Sequence, residues 1–392
     1  MSKNLINALQ IDDNNIKFIT AQEIEIANNE PIIQVLSISE KKGIWDISKL
    51  DIDLLSSYIK TSLLENEKLV GQKIVSTLVS VTKEITSKYI THELFLNDIE
   101  ITEEHIKSFY QSRDFSDLYE DDKIPIHTLP ISYKINDKKI VSDPLGLKAQ
   151  TLTIKWHIIS INKKYHQNIN KLLEASDLHM KQCVLASYAS SLASINEMES
   201  SLGVICIDLN YFKTDITIII DNQLVCIDNT DIGIKYVNLD LMNILEISEE
   251  EANLLRLKWS SEINKKNLSE SESRIQQIIK YRMEEIIDLA FTKIEQSSYY
   301  DLANSHVVLT GEGVKYYDAI EYSSHVFKTK NIRIGSPQKI HGLKPVIDNP
   351  ANSTCVGMLN YALSTEFQYD VNDNKTKKDS VISILYNFFR AI

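Results

Sequence analysis

Two sets of three short apolar strands, one opening the chain and one opening its second half, constrain this sequence more than anything else in it. Residues 4–11, 16–21 and 32–37 are apolar or alternating runs separated by Asp, Asn and Pro, the pattern of a strand meander. Behind Gly203 the pattern returns in residues 204–208, 214–220 and 223–229. The first set is followed by residues 46–66, where Ile47, Leu50, Leu54, Leu55, Ile59 and Leu63 stand at helical spacing, and then by a β-branched run over residues 73–81. A strand–strand–strand–helix–strand unit that begins twice predicts a duplicated α/β fold of two domains. At 392 residues, 43% of them hydrophobic, the chain is long enough to build both cores.

Each half is interrupted. Residues 82–151 change character: Ile101-Thr102-Glu103-Glu104 reads as a helix start, residues 117–122 are acidic, and strands are expected around Ser132 and Ile140. The first domain is expected to resume with a strand over residues 152–161 and a helix over 165–176. In the second half, residues 239–297 are helical and rich in Glu, Leu and Lys, before a strand over 306–310 and the turn Gly311-Glu312-Gly313. The predicted organisation is a first domain of residues 1–81 and 152–202 with an insert of 82–151, then a second domain of 203–238 and 304–366 with a subdomain of 239–303. Residues 367–379 are read as a polar linker. Residues 380–392 gather Val381, Ile384, Leu385, Phe388, Phe389 and Ile392 on one side of a helix, with Ser383, Asn387 and Arg390 opposite.

Charge and composition exclude several classes of function. With 54 acidic against 42 basic side chains and a net charge of −12, the surface repels polyphosphates, so no nucleic-acid partner is expected and any contact with anionic lipid must be local. Cys183, Cys206, Cys226 and Cys355 are widely spaced and read as reduced thiols rather than zinc ligands or disulfides. The histidines, among them His92, His105, His157 and His166, do not fall at metal-ligand spacings, so no metal site and no Ser-His-Asp arrangement is expected. No signal for export is read at the start of the chain. Apolar runs stay far short of the roughly 18 to 20 residues of a spanning helix. The stretch at 380–392 can instead lie in the headgroup boundary, with Arg390, Lys375, Lys377 and Lys378 toward anionic lipid. Such binding is reversible, and several tails acting together would be needed for firm attachment.

The duplicated meander is the architecture of the actin, sugar-kinase and heat-shock chaperone superfamily (a ribonuclease H-like fold), in which nucleotide lies between the halves. Four blocks resemble one branch of it, the FtsA family of bacterial cell division proteins. Lys42-Gly43-Ile44-Trp45-Asp46-Ile47 resembles the family's K-G-x-I-x-D-I. Ile124-Pro125-Ile126-His127 leading to Asp143-Pro144-Leu145-Gly146-Leu147 resembles the end of its inserted 1C subdomain. Val307-Val308-Leu309-Thr310-Gly311-Glu312-Gly313 resembles the adenosine-side V-V-L-T-G-G-G, with Ile332-Arg333-Ile334-Gly335-Ser336-Pro337 and Cys355-Val356-Gly357 behind it. The amphipathic end resembles the FtsA membrane-targeting helix.

That resemblance implies an adaptor on the cytoplasmic face of the inner membrane at the septum, binding FtsZ, assembling into filaments and recruiting other divisome proteins. It also implies an ATP site with magnesium, which this chain departs from. The family's first loop D-I-G-S-S-K corresponds to Gln10-Ile11-Asp12-Asp13-Asn14-Asn15. The second, D-I-G-G-G-T-T-D, corresponds to Asp208-Leu209-Asn210-Tyr211-Phe212-Lys213-Thr214-Asp215. Only 10 residues are glycine, and those needed for backbone N–H groups to approach phosphate are gone from both loops. A remnant site of Asp208, Thr214, Asp215, Gly233, Arg256, Gly311 and Gly313 is expected, with Tyr211 and Phe212 filling the cleft and no useful ATP hydrolysis. Arg282 matches the FtsZ-binding position of the family's 2B subdomain. The alternatives are an actin-fold ATPase or small-molecule kinase, and a PilM-like pilus assembly adaptor.

Overall fold

The computed structural model describes residues 5–12, 14–25, 31–43, 51–106, 121–261, 268–315 and 319–364. In the first half β1 (Leu5–Ile11), β2 (Asn15–Glu25) and β3 (Pro31–Lys42) form the expected antiparallel meander. Helix α1 (Ile52–Val70) follows. The Asp51 side chain caps it by accepting from Leu54 N, Leu55, Ile59 and Leu63 fall on its buried face, and Gly71 ends it at φ 72°. The helix begins later than residue 46, and residues 44–50 with the Trp45 block lie outside the described residues. β4 (Ser76–Val81) pairs parallel to β1, and β9 (His179–Leu185) parallel to β4.

The insert is a sheet of β5 (Ile85–Glu100), β6 (Lys123–Ile135), β7 (Lys139–Val141) and β8 (Lys148–Asn162) in the order β5-β8-β6-β7. Two expectations are corrected by it. β5 was not anticipated: Leu96 is its one buried residue, and the apolar alternation that announces a strand is confined to Ile90, Leu94 and Leu96. The run at 152–161 is part of β8, which pairs with β5 and β6 as far as Asn162. The insert's sheet therefore extends past residue 151, and the first half resumes with α2 (Lys163–Ala175). Trp156, Ile154, Leu152 and Tyr133 centre the insert's own core.

Helices α3 (Ala186–Ser194) and α4 (Glu197–Leu202) lead into the second half: β10 (Val204–Leu209), β11 (Thr214–Ile220), β12 (Gln223–Thr230), α5 (Lys235–Leu245), α6 (Glu249–Ser261), α7 (Glu270–Glu295), β13 (Val307–Thr310), α8 (Ala319–Phe327) and β14 (Ile332–Ile334). Its sheet order, β12-β11-β10-β13-β14, repeats β3-β2-β1-β4-β9 of the first half. The duplication read from the strand meanders is real at the level of topology. β15 (Ile340–Gly342) then returns to the first sheet beside β3, and α9 (Ser353–Ser364) packs against α3. The halves are thus joined both by chain crossings and by a buried hydroxyl cluster, in which Thr310 Oγ1 lies 2.8 Å from Ser353 Oγ and Ser194 Oγ lies 3.1 Å from Thr310 Oγ1.

The insert docks on the second half through His157 and Tyr89. His157 Nδ1 lies 2.9 Å from Leu224 O and must be the protonated nitrogen, since a carbonyl only accepts; Nε2 meets Ser87 Oγ at 2.6 Å. Tyr89 stacks on the imidazole and donates to Val225 O at 2.9 Å. Burial pulls the His157 pKa down to about 4 from 6.5, the nearby Lys155 charge adding to the fall. The folded state therefore holds His157 neutral, so its contribution is complete above pH 6.5 and is lost as the pH falls toward 4. The loss amounts to about 3 kcal/mol. Urea denaturation between pH 7 and pH 4 should show this slope, reduced in His157→Gln; equal slopes in the two proteins would assign it to other groups.

Candidate functional site

Between the halves lies a cavity of about 830 Å³. Its first-half wall comes from the β1–β2 turn, β3 and residues 82–85, and its second-half wall from the β10–β11 turn, Asp215, Arg256 and Glu312. The β10–β11 turn is held tightly: Asn210 N donates to Lys213 O at 3.1 Å, and Ile234 N and Lys235 N donate to Asn210 O and Tyr211 O at 3.0 and 2.8 Å.

These contacts explain why particular glycines are kept. A Cβ on Gly233 would run into the backbone of Asn210, Tyr211 and Lys213; on Gly311, at φ 92°, into the Asp208 carboxylate and Leu209 O; on Gly313, into the Ile234 and Leu209 side chains. All three glycines are required by the protein's own packing, and none lines the cavity.

Of the expected residues, Asp215 and Arg256 face the cavity. Thr214 is fully buried and donates from Oγ1 to Ile232 O at 2.9 Å. Asp208 is 2% exposed, and neither Oδ has a hydrogen-bond partner of good geometry among the described residues. Burial and then the Asp215 charge push its pKa up to about 7, against partial help from Ser190 and Asn210. Tyr211 and Phe212 line the cavity and leave it open rather than filling the cleft, packed edge to face at 5.0 Å, with Tyr211 OH donating to Glu249 Oε1 at 3.2 Å.

The residue that organises the site was not anticipated. Lys213 Nζ lies 2.6 Å from Asp215 Oδ1 and donates to Thr82 O at 2.8 Å, while Asn210 Nδ2 donates to Asp215 Oδ2 at 3.2 Å. Glu312, in the middle of the Gly-x-Gly turn, sits 3.6 Å from an Arg256 nitrogen and accepts from Asn14 Nδ2 at 3.5 Å across the cleft. Arg256 is further held by Asn238 Oδ1 at 3.0 Å and Asn253 Oδ1 at 2.8 Å. On the first-half wall Lys17 donates to Ala351 O at 2.6 Å and Asn352 Oδ1 at 3.2 Å. Gln10, where the family places an aspartate, donates to Asp12 and accepts from Cys355 Sγ.

A magnesium nucleotide, which the fold family implies, does not fit this set. The described lining holds the carboxylates of Asp12, Glu40, Glu84, Asp215, Asp231 and Glu312 against five cationic side chains, an unfavourable field for a triphosphate. Asp215, the carboxylate facing the cavity from the second loop, already has an ammonium ion at contact distance. Asp208 is sealed behind Gly311, away from the cavity.

Arg282 is engaged within the second half. Its guanidinium binds Asp240 through Nε at 2.6 Å and a terminal nitrogen at 2.9 Å, reaches Glu285 with the other, and thus clips α7 to α5. Val381, Ile384, Leu385, Phe388, Phe389, Arg390 and Ile392 lie outside the described residues, as does Asp13 of the first loop.

Fold and cleft together define an actin-like protein whose cleft between the halves is lined by charged and aromatic side chains. Solved structures agree on the fold: a PilM-PilN type IV pilus biogenesis complex matches with a TM-score of 0.62 at 11% identity, covering 90% of this chain and 96% of that one. An MreB of Spiroplasma citri bound to AMPPNP matches at 0.52 and 10% identity, covering 93% and 97%. Residues 71–160 match the family described as the SHS2 domain inserted in FTSA. Cell division protein FtsA of Buchnera aphidicola subsp. Acyrthosiphon pisum is 26% identical, over 88% of this chain and 87% of its own length. That of Buchnera aphidicola subsp. Schizaphis graminum is 25% identical over 100% and 98%, and that of Rhizobium meliloti 24% over 84% and 79%. The chain is a divergent relative of the FtsA cell division proteins.

Proposed function

We propose that this protein is a non-catalytic adaptor that tethers FtsZ to the cytoplasmic face of the inner membrane, assembles into actin-like filaments and helps bring other divisome proteins to the ring. The observation that supports this best is the insert, an FtsA-type SHS2 sheet placed between β4 and α2 of an actin-like half. The cleft supports the non-catalytic part, because its loops have lost the glycines that let backbone N–H groups approach phosphate and Asp215 is already paired with Lys213. Attachment falls to the amphipathic pattern of residues 380–392, since a surface of net charge −12 gives an anionic bilayer little other reason to hold it.

The test is co-sedimentation of the full chain, and of a chain ending at Asp379, with anionic vesicles in the presence and absence of FtsZ. Only the full chain should pellet, and it should bring FtsZ down with it. Pelleting of neither chain, or of both alike, would overturn the tether. Robust ATP turnover that is abolished by Asp215→Ala would overturn the non-catalytic assignment.

A further inference from the structure

We infer that Lys213 is an internal substitute for the metal ion of the ancestral nucleotide site, and that with it the two halves clasp one another without nucleotide. Its ammonium makes two contacts that belong to opposite walls: Asp215 in the second half at 2.6 Å, and the carbonyl of Thr82, where β4 hands over to the insert, at 2.8 Å. A cation between a loop carboxylate of one half and the backbone of the other joins them across the cleft. The Lys213 side chain is 19% exposed and that of Asp215 5%, so the pair is shielded from solvent and salt screens it weakly.

Charge balance supports the same assignment. Two buried carboxylates, Asp208 and Asp215, face each other across paired strands β10 and β11. A divalent ion would neutralise both. Here a single ammonium reaches one of them, and the other is sealed behind Gly311. A second link crosses the same cleft, where Asn14 of the first half donates to Glu312 of the second, and Glu312 is held by Arg256. Lys213 stands where the FtsA pattern has threonine and Glu312 where it has glycine, so both links are made by residues in which this chain departs from its relatives' pattern. The clasp is independent of whether the protein binds membrane or FtsZ.

Hydrogen–deuterium exchange on the full chain tests it. Wild-type amides of residues 82–85 and 210–215 should exchange at the same rate with and without magnesium ATP. Lys213→Ala should speed exchange in both segments roughly tenfold or more, as expected for loss of a charge-assisted hydrogen bond, while β1 and β10 stay protected. Magnesium ion alone should slow exchange again in that variant and leave the wild type unchanged. Lys213→Gln, which keeps a donor for Thr82 but no charge, gives an intermediate rate and serves if the alanine variant does not fold. Slowing of wild-type exchange by magnesium ATP, wild-type rates in both variants, or a variant indifferent to magnesium would each overturn the substitution of ammonium for metal.

Discussion

Gly357→Val should cost the protein more stability than any surface change, enough to lower its midpoint of urea unfolding sharply. Gly357 lies in α9 where that helix crosses α3, and a Cβ there would collide with the carbonyl oxygen and carbon of Ala189. Overpacked side chains usually cost about 1–3 kcal/mol because neighbouring side chains shift. Here the obstacle is helical backbone, so relief requires the helices to separate. Separation would uncover Cys355, Val356, Met358, Leu359 and Tyr361, all fully buried against the first sheet and α3. We expect a loss of at least about 4 kcal/mol, with Gly357→Ala already damaging. Gly71→Val provides the comparison: a Cβ at Gly71 meets nothing within 4 Å, and its strain comes from φ 72° alone, worth about 1–2 kcal/mol. If Gly357→Val proves no more harmful than Gly71→Val, α9 does not dock on α3 as described.

The same helices show where sequence reading succeeds and fails. The two meanders were legible because their strands carry apolar or alternating runs, most fully in β10 and β11, which are buried almost throughout and hold Val204-Ile205-Cys206-Ile207 and Ile218-Ile219-Ile220. α3, Ala-Ser-Tyr-Ala-Ser-Ser-Leu-Ala-Ser, was not, because it is buried on nearly all sides and built from small residues that let α9 approach. It has no polar face to contrast with an apolar one. β5 failed for the opposite reason, too much exposure. In the cleft, Asp208 and Asp215 were legible from the resemblance of residues 208–215 to the family's second loop. Lys213 was not: Thr82 stands 131 residues away and Asn14 is 298 residues from Glu312, so no local pattern announces either contact. The sole local sign was a lysine two residues before a buried aspartate in a loop whose glycines had gone. The retained glycines misled in the other direction, since Gly233, Gly311 and Gly313 fit the nucleotide pattern yet are held by contacts within the protein.

Asp208→Asn should stabilise the protein at pH 8 by about 3 kcal/mol, and the gain should vanish below pH 4. In the unfolded chain this carboxyl has its ordinary pKa of 3.8; in the folded protein burial and Asp215 raise it to about 7. The native state therefore binds a proton that the unfolded state has released, so stability is full below pH 3.8 and falls as the pH rises through 7. At about 1.4 kcal/mol per pH unit the loss comes to about 4 kcal/mol. Asparagine removes the titration, and its amide inherits one poorly satisfied hydrogen-bonding group that returns about 1 kcal/mol of the gain. Asp215→Asn should act in the opposite sense, because it strips Lys213 of the partner that neutralises it in a shielded site. The pair of substitutions separates two physical pictures of the cleft. Were Asp208 held ionised by a bound cation, its replacement would cost stability at pH 8 and the effect would depend on magnesium. Where Lys213 neutralises Asp215 and Asp208 takes up a proton, replacement helps, magnesium makes no difference, and the denaturation midpoint of Asp208→Asn loses the decline between pH 4 and pH 8 that the wild type owes to this group.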